Sequence, residues 1–269
     1  ADRVNVDSAN HPLTANGDDV LIGDNGRISL NNGIVVRIES TDQSDATGGD
    51  DILFTGEGFN QVVGGAGSDQ ISGGNSTDHV LGDHGLVTYN TTGALTLLQS
   101  FYPELGAADV ISMGNGENVV IAGAGNDQVT GGDHADFVLG DFGRATFDAG
   151  VLTMAESSDV TFAGDDLITT GDGRNVAIGG SGADRINVDA SGKLLSADGD
   201  DLMIGDNGRM TLQYNDTLGR NVVLRIESID LDDSNGAADW LNSGDGFNQV
   251  IGGAGSDQIS GGNSTDHVL

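Results

Sequence analysis

A nine-residue phrase recurs along the chain and constrains its fold more than any other feature. Residues 64–81 read GGAGSDQISGGNSTDHVL, and residues 252–269 repeat these eighteen letters without a change. Each copy consists of two phrases on the template G-G-x-G-x-D-x-U-x, in which U is a large apolar residue, and the second phrase has Ser at position four. A phrase repeated at constant phase predicts a solenoid, because each copy adds the same unit to one continuous core.

The first six positions of the phrase predict a turn, and the last three predict a short strand. Gly at positions one, two and four allows positive φ and close approach of stacked turns. Side chains alternate along a strand, so position eight points inward. Two phrases then form one coil, with a strand on each side of a thin core. The predicted fold class is an all-β parallel β-roll, or β-solenoid. Position eight is never polar and holds Leu53, Val62, Ile71, Val80, Val120, Val129, Val138, Ile168, Ala177, Ile186, Val250, Ile259 and Val268.

A Gly-Asp-x-Gly tetrad recurs about every sixty residues, and two strand-like runs follow each copy. Turn sequences such as Asn-Asn-Gly separate the runs, which predicts a β-hairpin inserted into the roll. The tetrads divide the chain into an end piece (1–26), three repeat units (27–85, 86–143 and 144–208) and an incomplete unit (209–269). Matches at offsets of 182 and 188 residues indicate a super-repeat of three units, and we expect the chain to be a piece of a longer array.

Carboxylates recur at position six, and they point to a cation. Burying two apolar side chains per coil stabilises it by roughly 3–6 kcal/mol, less than the cost of ordering eighteen residues. Stacked carboxylates about 5 Å apart repel each other unless a cation lies between them. Oxygen-only ligands suit Ca²⁺, and several ions are expected between stacked turns. The predicted ligands at this position are Asp2, Asp19, Asp51, Asp69, Asp78, Asp109, Asp127, Asp136, Asp166, Asp184, Asp201, Asp239, Asp257 and Asp266, with Gly65 and Gly67 representing the turn glycines whose freed carbonyls face the same gap.

This pattern resembles the RTX (repeats-in-toxin) haemolysin-type calcium-binding nonapeptide repeat, over more than half of the chain. The resemblance implies that position-six Asp and turn carbonyls bind Ca²⁺ between coils. It also implies that the chain folds in extracellular calcium after export from a bacterium. Two features depart from the family pattern. Position six is Asn in four phrases, which predicts weaker or differently ligated sites or a structural Asx turn: Asn60, Asn118, Asn175 and Asn248. The tetrads add carboxylates that we expect to complete the calcium site beside each hairpin: Asp24, Asp83, Asp141 and Asp206.

Charge and composition exclude several classes of protein. The formal net charge is -32, with 42 acidic and 10 basic residues, which argues against a nucleic-acid partner. The chain has no cysteine, and no apolar run approaches the roughly 18 residues of a membrane span. The acidic run at 229–235 lacks the Gly and Glu of an EF-hand and is expected to be a loop. Outward positions carry apolar residues that a hairpin or a neighbouring chain should cover: Ile52, Phe54, Val63, Phe137 and Leu139.

Three functions are compatible with these features. The first is a calcium-stabilised structural segment of a large secreted or cell-surface bacterial protein, of the adhesin, biofilm-matrix or surface-layer type. Copies of the chain, neighbouring repeats or a matrix component would be its partners. The second is the calcium-binding tail of a secreted toxin or enzyme whose active domain lies elsewhere. The third is a sugar- or ice-binding face, although the outward position seven shows no regular Thr or Asn rank. No unrepeated cluster of acid, base and nucleophile suggests an enzyme.

Overall fold

The computed structural model describes residues 1–42, 48–158, 161–162, 164–229 and 236–269. These residues form an all-β roll of nine coils, and each coil contributes one strand to each of two parallel sheets. They include no α-helix, only a short 3₁₀ turn at Pro103–Leu105. None of their helical turns is long and apolar enough to cross a membrane. The acidic run that the sequence predicts to be a loop falls, apart from Ile229, outside the described residues.

Sheet I is formed by the strand that follows the first turn of each coil. Neighbouring strands pair in register, so that position eight of one coil meets position eight of the next, as Leu53 meets Ile71. The described residues give this sheet nine strands: β1 (Arg3–Val4), β5 (Ile52–Gly56), β7 (Gln70–Gly73), β11 (Val110–Ser112), β13 (Gln128–Thr130), β17 (Leu167–Thr169), β19 (Arg185–Ile186), β23 (Trp240–Gly244) and β25 (Gln258–Gly261).

Sheet II is formed by the second strand of each coil and faces sheet I. Its strands also pair in register, as Val62 does with Val80. In the described part of the chain its nine strands are β2 (Val20–Ile22), β6 (Asn60–Val63), β8 (Asp78–Leu81), β12 (Val119–Ile121), β14 (Phe137–Leu139), β18 (Val176–Ile178), β20 (Leu202–Ile204), β24 (Gln249–Ile251) and β26 (His267–Val268).

Position-eight side chains fill the narrow space between the two sheets, as the repeat predicts. Leu53, Ile71 and Val80 are at most 1% exposed and belong to one buried cluster that runs along the roll. In the ninth coil this position is less buried, with Ile259 partly buried and Val268 exposed. One inward residue from each strand is enough to define the core, because the strand period of two leaves only the central side chain of x-U-x pointing inward.

Four β-hairpins of the described residues form a third, antiparallel sheet, which we call the hairpin sheet. One hairpin follows every second sheet II strand, directly after a tetrad. Successive hairpins pair through antiparallel strands, and hydroxyl groups add further hydrogen bonds: Ser100 Oγ, for example, accepts one from the N–H of Gly143 at 2.8 Å. The eight strands within the described residues are β3 (Gly26–Asn31), β4 (Ile34–Ser40), β9 (Gly85–Tyr89), β10 (Leu95–Ser100), β15 (Gly143–Asp148), β16 (Val151–Ser157), β21 (Gly208–Asn215) and β22 (Arg220–Ser228).

The hairpin sheet covers the outer face of sheet II and buries a second apolar core there. Leu81 and Leu139 of sheet II are fully buried in one cluster with Leu98 and Ala145 of the hairpins. The prediction that hairpins fold back over outward apolar residues is therefore confirmed for three of its residues: Val63, Phe137 and Leu139.

For Ile52 and Phe54 the hairpin alternative of this prediction is wrong, and cover by a neighbouring chain stays a prediction. Both lie in β5 of sheet I, on the side of the roll opposite the hairpins. Phe54 is nevertheless 6% exposed, and Ile52 is half-buried. The nonapeptide phase distinguishes inward from outward positions, but it does not show which of the two sheets the hairpins will cover.

Candidate calcium sites

The position-six side chains form two rows, one along each edge of the roll. The turns that lead into sheet I carry the Asp edge, and those that lead into sheet II carry the alternating edge. The Asp edge consists of Asp2, Asp51, Asp69, Asp109, Asp127, Asp166, Asp184, Asp239 and Asp257. The alternating edge consists of Asp19, Asn60, Asp78, Asn118, Asp136, Asn175, Asp201, Asn248 and Asp266.

Along the Asp edge, one oxygen of each carboxylate from Asp51 to Asp257 is used to bind the neighbouring coil. The Oδ1 of Asp69 accepts a hydrogen bond from the backbone N–H of Asp51 at 2.8 Å. The same bond joins the Asp109 N–H to Asp127 Oδ1 at 2.7 Å, and the ladder continues from coil to coil. The sequence-based expectation that position-six carboxylates of neighbouring coils stack is confirmed, for example for Asp51 and Asp69. This ladder fixes the carboxylates and leaves each Oδ2 for another partner.

The second carboxylate oxygen has no hydrogen-bond partner in most of these residues, although it is buried. The residues that carry such an oxygen come from both edges of the roll and are at most 3% exposed. A buried carboxylate oxygen without a partner is costly, so such atoms in a protein need a ligand that the polypeptide does not supply. Within the described residues the unpartnered Oδ2 atoms belong to Asp51, Asp69, Asp78, Asp109, Asp127, Asp136, Asp166, Asp184, Asp201 and Asp239.

Carbonyl oxygens of the turns lie close to the unpartnered Oδ2 atoms. Where a turn begins with Gly, a side chain at that position would collide with these oxygens. A Cβ added to Gly64 would lie 2.4 Å from Asp69 Oδ2 and 2.0 Å from the Gly82 carbonyl oxygen. The arrangement repeats one coil further on, at Gly82, where the corresponding atoms are Asp109 Oδ2 and the Ala122 carbonyl oxygen, both at 2.3 Å. Carboxylate and carbonyl oxygens therefore meet beside the first Gly of the turn. This oxygen-only donor set fits Ca²⁺, which takes 6–8 oxygen ligands in flexible geometry.

The electrostatics of the Asp edge also favour a cation. Burial, followed by the charge of neighbouring Asp109, raises the pKa of Asp69 to about 9. Burial raises the pKa of Asp239 to about 8, and that of Asp127 well above its ordinary value. Deprotonating these groups at neutral pH without a counter-ion is therefore unfavourable. A divalent cation between the coils removes this penalty and gives Oδ2 a partner.

The tetrad carboxylates are placed differently. Asp83 Oδ1 accepts a hydrogen bond from the Ala107 N–H at 3.3 Å, and its Oδ2 accepts one from the Ala124 N–H at 2.6 Å. Asp141 makes the equivalent pair with Gly164 and Ser181. Asp206 does so with Ala237 and Ala254, and Asp24 Oδ2 binds the Ala66 N–H.

This bonding pattern explains how a hairpin can be inserted into a turn. Gly82 and Asp83 begin a turn that resumes only at Gly106 after the hairpin. The Asp83 carboxylate joins the two halves through Ala107 and binds the next turn through Ala124. Sequence reasoning missed this clamp because the halves lie more than twenty residues apart. The role of the tetrad Asp residues as calcium ligands stays a prediction.

Other predicted ligands lie around the same turns. Gly65 and Gly67 have φ of +117° and +107°, a region that favours glycine. Gly65 contacts the Asp24 carboxylate, and Gly67 packs against the Gly49–Asp50 backbone. Toward the ends of the rows the predicted ligands are more exposed than in the middle: Asp2, Asp19, Asp257 and Asp266.

In the described part of the chain, no group of three or more His, Cys, Asp or Glu side chains is arranged to hold a metal. The candidate sites are of another kind, since each gap of the Asp edge combines two carboxylates with backbone carbonyls. A row of such gaps between stacked turns defines a metal-stabilised β-solenoid.

Comparison with known families identifies which one. The profile of the RTX calcium-binding nonapeptide repeat matches four segments, residues 45–82, 114–147, 160–190 and 233–268, together just over half of the chain. The chain therefore belongs to the RTX calcium-binding nonapeptide repeat family, and its repeats bind Ca²⁺. Neither the curated proteins nor the solved structures contained a match.

Proposed function

We propose that the chain is a calcium-stiffened structural segment of a large bacterial protein at the cell surface or in the extracellular matrix. RTX repeats are structural calcium-binding units of secreted bacterial proteins. The observation that carries the finer proposal is continuity. Within the described residues, all three sheets run from coil to coil past every hairpin, and both buried cores do the same.

Continuity of this kind suits a rod better than a single binding site. Each coil repeats the contacts of the previous one, so length grows with repeat number while the cross-section stays constant. A super-repeat of 182–188 residues would correspond to six coils, counted from β1 to β19, the strand with the matching sequence. At a strand spacing of about 4.8 Å, six coils add about 30 Å to the rod. Neighbouring repeats or further copies of the chain would be its partners.

Small-angle X-ray scattering on single and tandem forms tests this proposal. We would compare the chain with a form carrying one additional super-repeat, each with Ca²⁺, with Mg²⁺ and with chelator. The expected result is a calcium-dependent rod whose maximum dimension increases by about 30 Å per super-repeat. A flexible array, or a length that does not increase with repeat number, would contradict the role as a rigid spacer. Such a result would favour the alternative of a calcium-binding tail serving a toxin or enzyme domain.

A further inference from the structure

Every second turn of the alternating edge carries Asn instead of Asp, and these Asn side chains behave differently from the carboxylates around them. All four are buried, with at most 1% exposed. Each precedes a sheet II strand, and each lies between two coils that carry Asp at the same position. We call the turns that contain them the Asn turns. The four residues are Asn60, Asn118, Asn175 and Asn248.

The amide nitrogen of each Asn is bound to two carbonyl oxygens of its own turn. Asn60 Nδ2 donates to the carbonyls of Gly56 and Gly58 at 3.2 and 3.0 Å. Asn118 Nδ2 donates to Gly114 and Gly116 at 3.1 and 3.2 Å. The same pair of bonds recurs at the other two positions, from Asn175 to Gly171 and Gly173, and from Asn248 to Gly244 and Gly246.

The amide oxygen is used as well. Asn118 Oδ1 accepts the backbone N–H of Asp78 at 3.1 Å, and Asn175 Oδ1 accepts that of Asp136 at 2.9 Å. This bond continues the same ladder that the carboxylates make. The orientation of the amide follows from its partners, because only the NH₂ end can face two carbonyl oxygens.

The contrast with an Asp turn lies in one atom. At Asp127 the second oxygen is buried without a partner, whereas at Asn118 the equivalent NH₂ group binds two turn carbonyls. Those carbonyls are oxygens of the kind that Ca²⁺ would need to complete its shell. The Asn side chain also carries no charge with which to attract the ion. Each Asn turn is thus satisfied by the protein itself.

We propose that the Asn turns are closed without calcium, and that the amide nitrogen occupies the place between turn carbonyls that a cation occupies in an Asp turn. Calcium ions are then distributed unevenly between the two edges. Every gap of the Asp edge can hold an ion, whereas the row of calcium sites on the alternating edge is interrupted at each Asn turn. The sequence left two alternatives for Asn60 and its equivalents, a weaker or differently ligated calcium site and a structural Asx turn, and the proposal favours the structural turn. It rests on the calcium-binding function of the repeats.

Three matched variants in the middle of the roll test the proposal: Asn118→Ala, Asn118→Asp and Asp127→Asn. Bound calcium is counted by equilibrium dialysis followed by elemental analysis, and folding is checked by circular dichroism and thermal unfolding with and without Ca²⁺. We expect Asn118→Ala to bind as many ions as the wild-type chain and to lose the same stability in both conditions. We expect Asn118→Asp to bind at least one additional ion, and Asp127→Asn to bind at least one fewer.

The outcomes separate this proposal from the function on which it rests. A loss of ions in Asn118→Ala equal to that in Asp127→Asn would show that Asn118 is a calcium ligand and overturn the proposal. So would an unchanged ion count in Asn118→Asp, since the turn would then have no place for a cation. A wild-type chain that binds no calcium would instead contradict the calcium-binding function. If Asn118→Ala does not fold, Asn175→Ala provides the same comparison one coil pair further along.

Discussion

The two edges of the roll have the same backbone repeat and the same hydrogen-bond ladder, but they differ in how the turns are neutralised. On the Asp edge, Asp109 stacks directly on Asp127, and both leave a buried oxygen without a partner. On the alternating edge, Asn118 lies between Asp78 and Asp136 and has hydrogen bonds at both ends of its amide. A single change from carboxylate to amide therefore separates turns that need an ion from turns that do not.

The spacing of charge has a measurable electrostatic consequence. On the Asp edge, burial and adjacent carboxylates raise the pKa of Asp69 to about 9. On the alternating edge, burial raises the pKa of Asp78, Asp136 and Asp201 to about 7, and hydrogen bonds from the adjacent Asn side chains oppose the rise. Placing a neutral amide in every second coil thus lowers the demand for cations on that edge.

The edges also differ in what lies beside them. The alternating edge leads into sheet II, whose outer face is covered by the hairpin sheet and its apolar core. The Asp edge leads into sheet I, and among the described residues the hairpins give that sheet no such cover. Hydrophobic burial is independent of calcium, so the two sides of the roll should respond differently when the ion is removed.

The largest expected effect is the response of backbone amides to calcium removal. Two like charges about 5 Å apart repel by about 3 kcal/mol at an effective dielectric constant of 20, equivalent to about a hundredfold change in an opening equilibrium. Hydrogen exchange followed by mass spectrometry should therefore show a loss of protection of this size at Asp109, Asp127 and Asp166 on chelation. The N–H groups of Asn118 and Asn175 should lose less protection. Equal losses of protection on both edges would contradict the claim that the Asp edge depends on calcium more than the Asn turns do.

Acid should partly replace calcium in the metal-free chain. The pKa values of Asp69, Asp239 and Asp136 in the folded chain are raised to about 9, 8 and 7, above the ordinary value of 3.8. Between these values the folded state binds more protons than the unfolded state, so its stability falls as the pH rises from the ordinary pKa of 3.8 up to the folded pKa values of about 7 to 9. Chelated protein should melt at a higher temperature at pH 5 than at pH 8.5. With saturating Ca²⁺ that difference should shrink or reverse, and an unchanged difference would contradict the assignment of the ion to these carboxylates.

The hairpin core provides a test that calcium should not influence. Leu98→Ala removes a fully buried side chain between the hairpin sheet and sheet II. We expect a cost of about 2–5 kcal/mol in the free energy of unfolding of this region. Denaturant unfolding should give the same cost with and without Ca²⁺. Leu30→Ala is the matched control, because Leu30 is 61% exposed on the same sheet and its loss should have little effect.

The sequence predicts the strands, the inner core and the carboxylate rows, because each depends on a fixed spacing within nine residues. Ile71 and Val129 are buried because side chains alternate along a strand, so that position eight points between the two sheets. The phase of Asp69 and Asp127 relative to Gly likewise places their carboxylates in stacked turns. Hairpins were predictable for the same reason, because their turn chemistry is local.

Contacts between distant segments could not be predicted in this way. The sequence shows Asn118 in place of Asp, but it does not show that the amide of Asn118 faces the Gly114 and Gly116 carbonyls. The sequence also shows Asp83 in a tetrad. It does not show that the hydrogen-bond partners of Asp83 are Ala107, which follows the hairpin, and Ala124, which lies in the next coil. Splitting the nine-residue phrases into odd and even sets would have revealed the all-Asp and alternating rows. The role of each row still depends on three-dimensional positions.

The smallest expected effect is that of removing the hydrogen bonds of a tetrad carboxylate such as Asp83. This test decides whether the calcium sites of the Asp edge include the turn that each hairpin interrupts. Asp83→Asn keeps the size of the side chain but replaces one acceptor with an NH₂ group that faces a backbone N–H. Losing one hydrogen bond to a buried carboxylate should cost about 1–3 kcal/mol in thermal or denaturant unfolding. A lower calcium count in equilibrium dialysis would show that Asp83 is also a ligand, as its position beside the Asp edge suggests. An unchanged count with lower stability would make it a clamp alone, and each hairpin would then interrupt the turn without changing the number of ions that the edge holds.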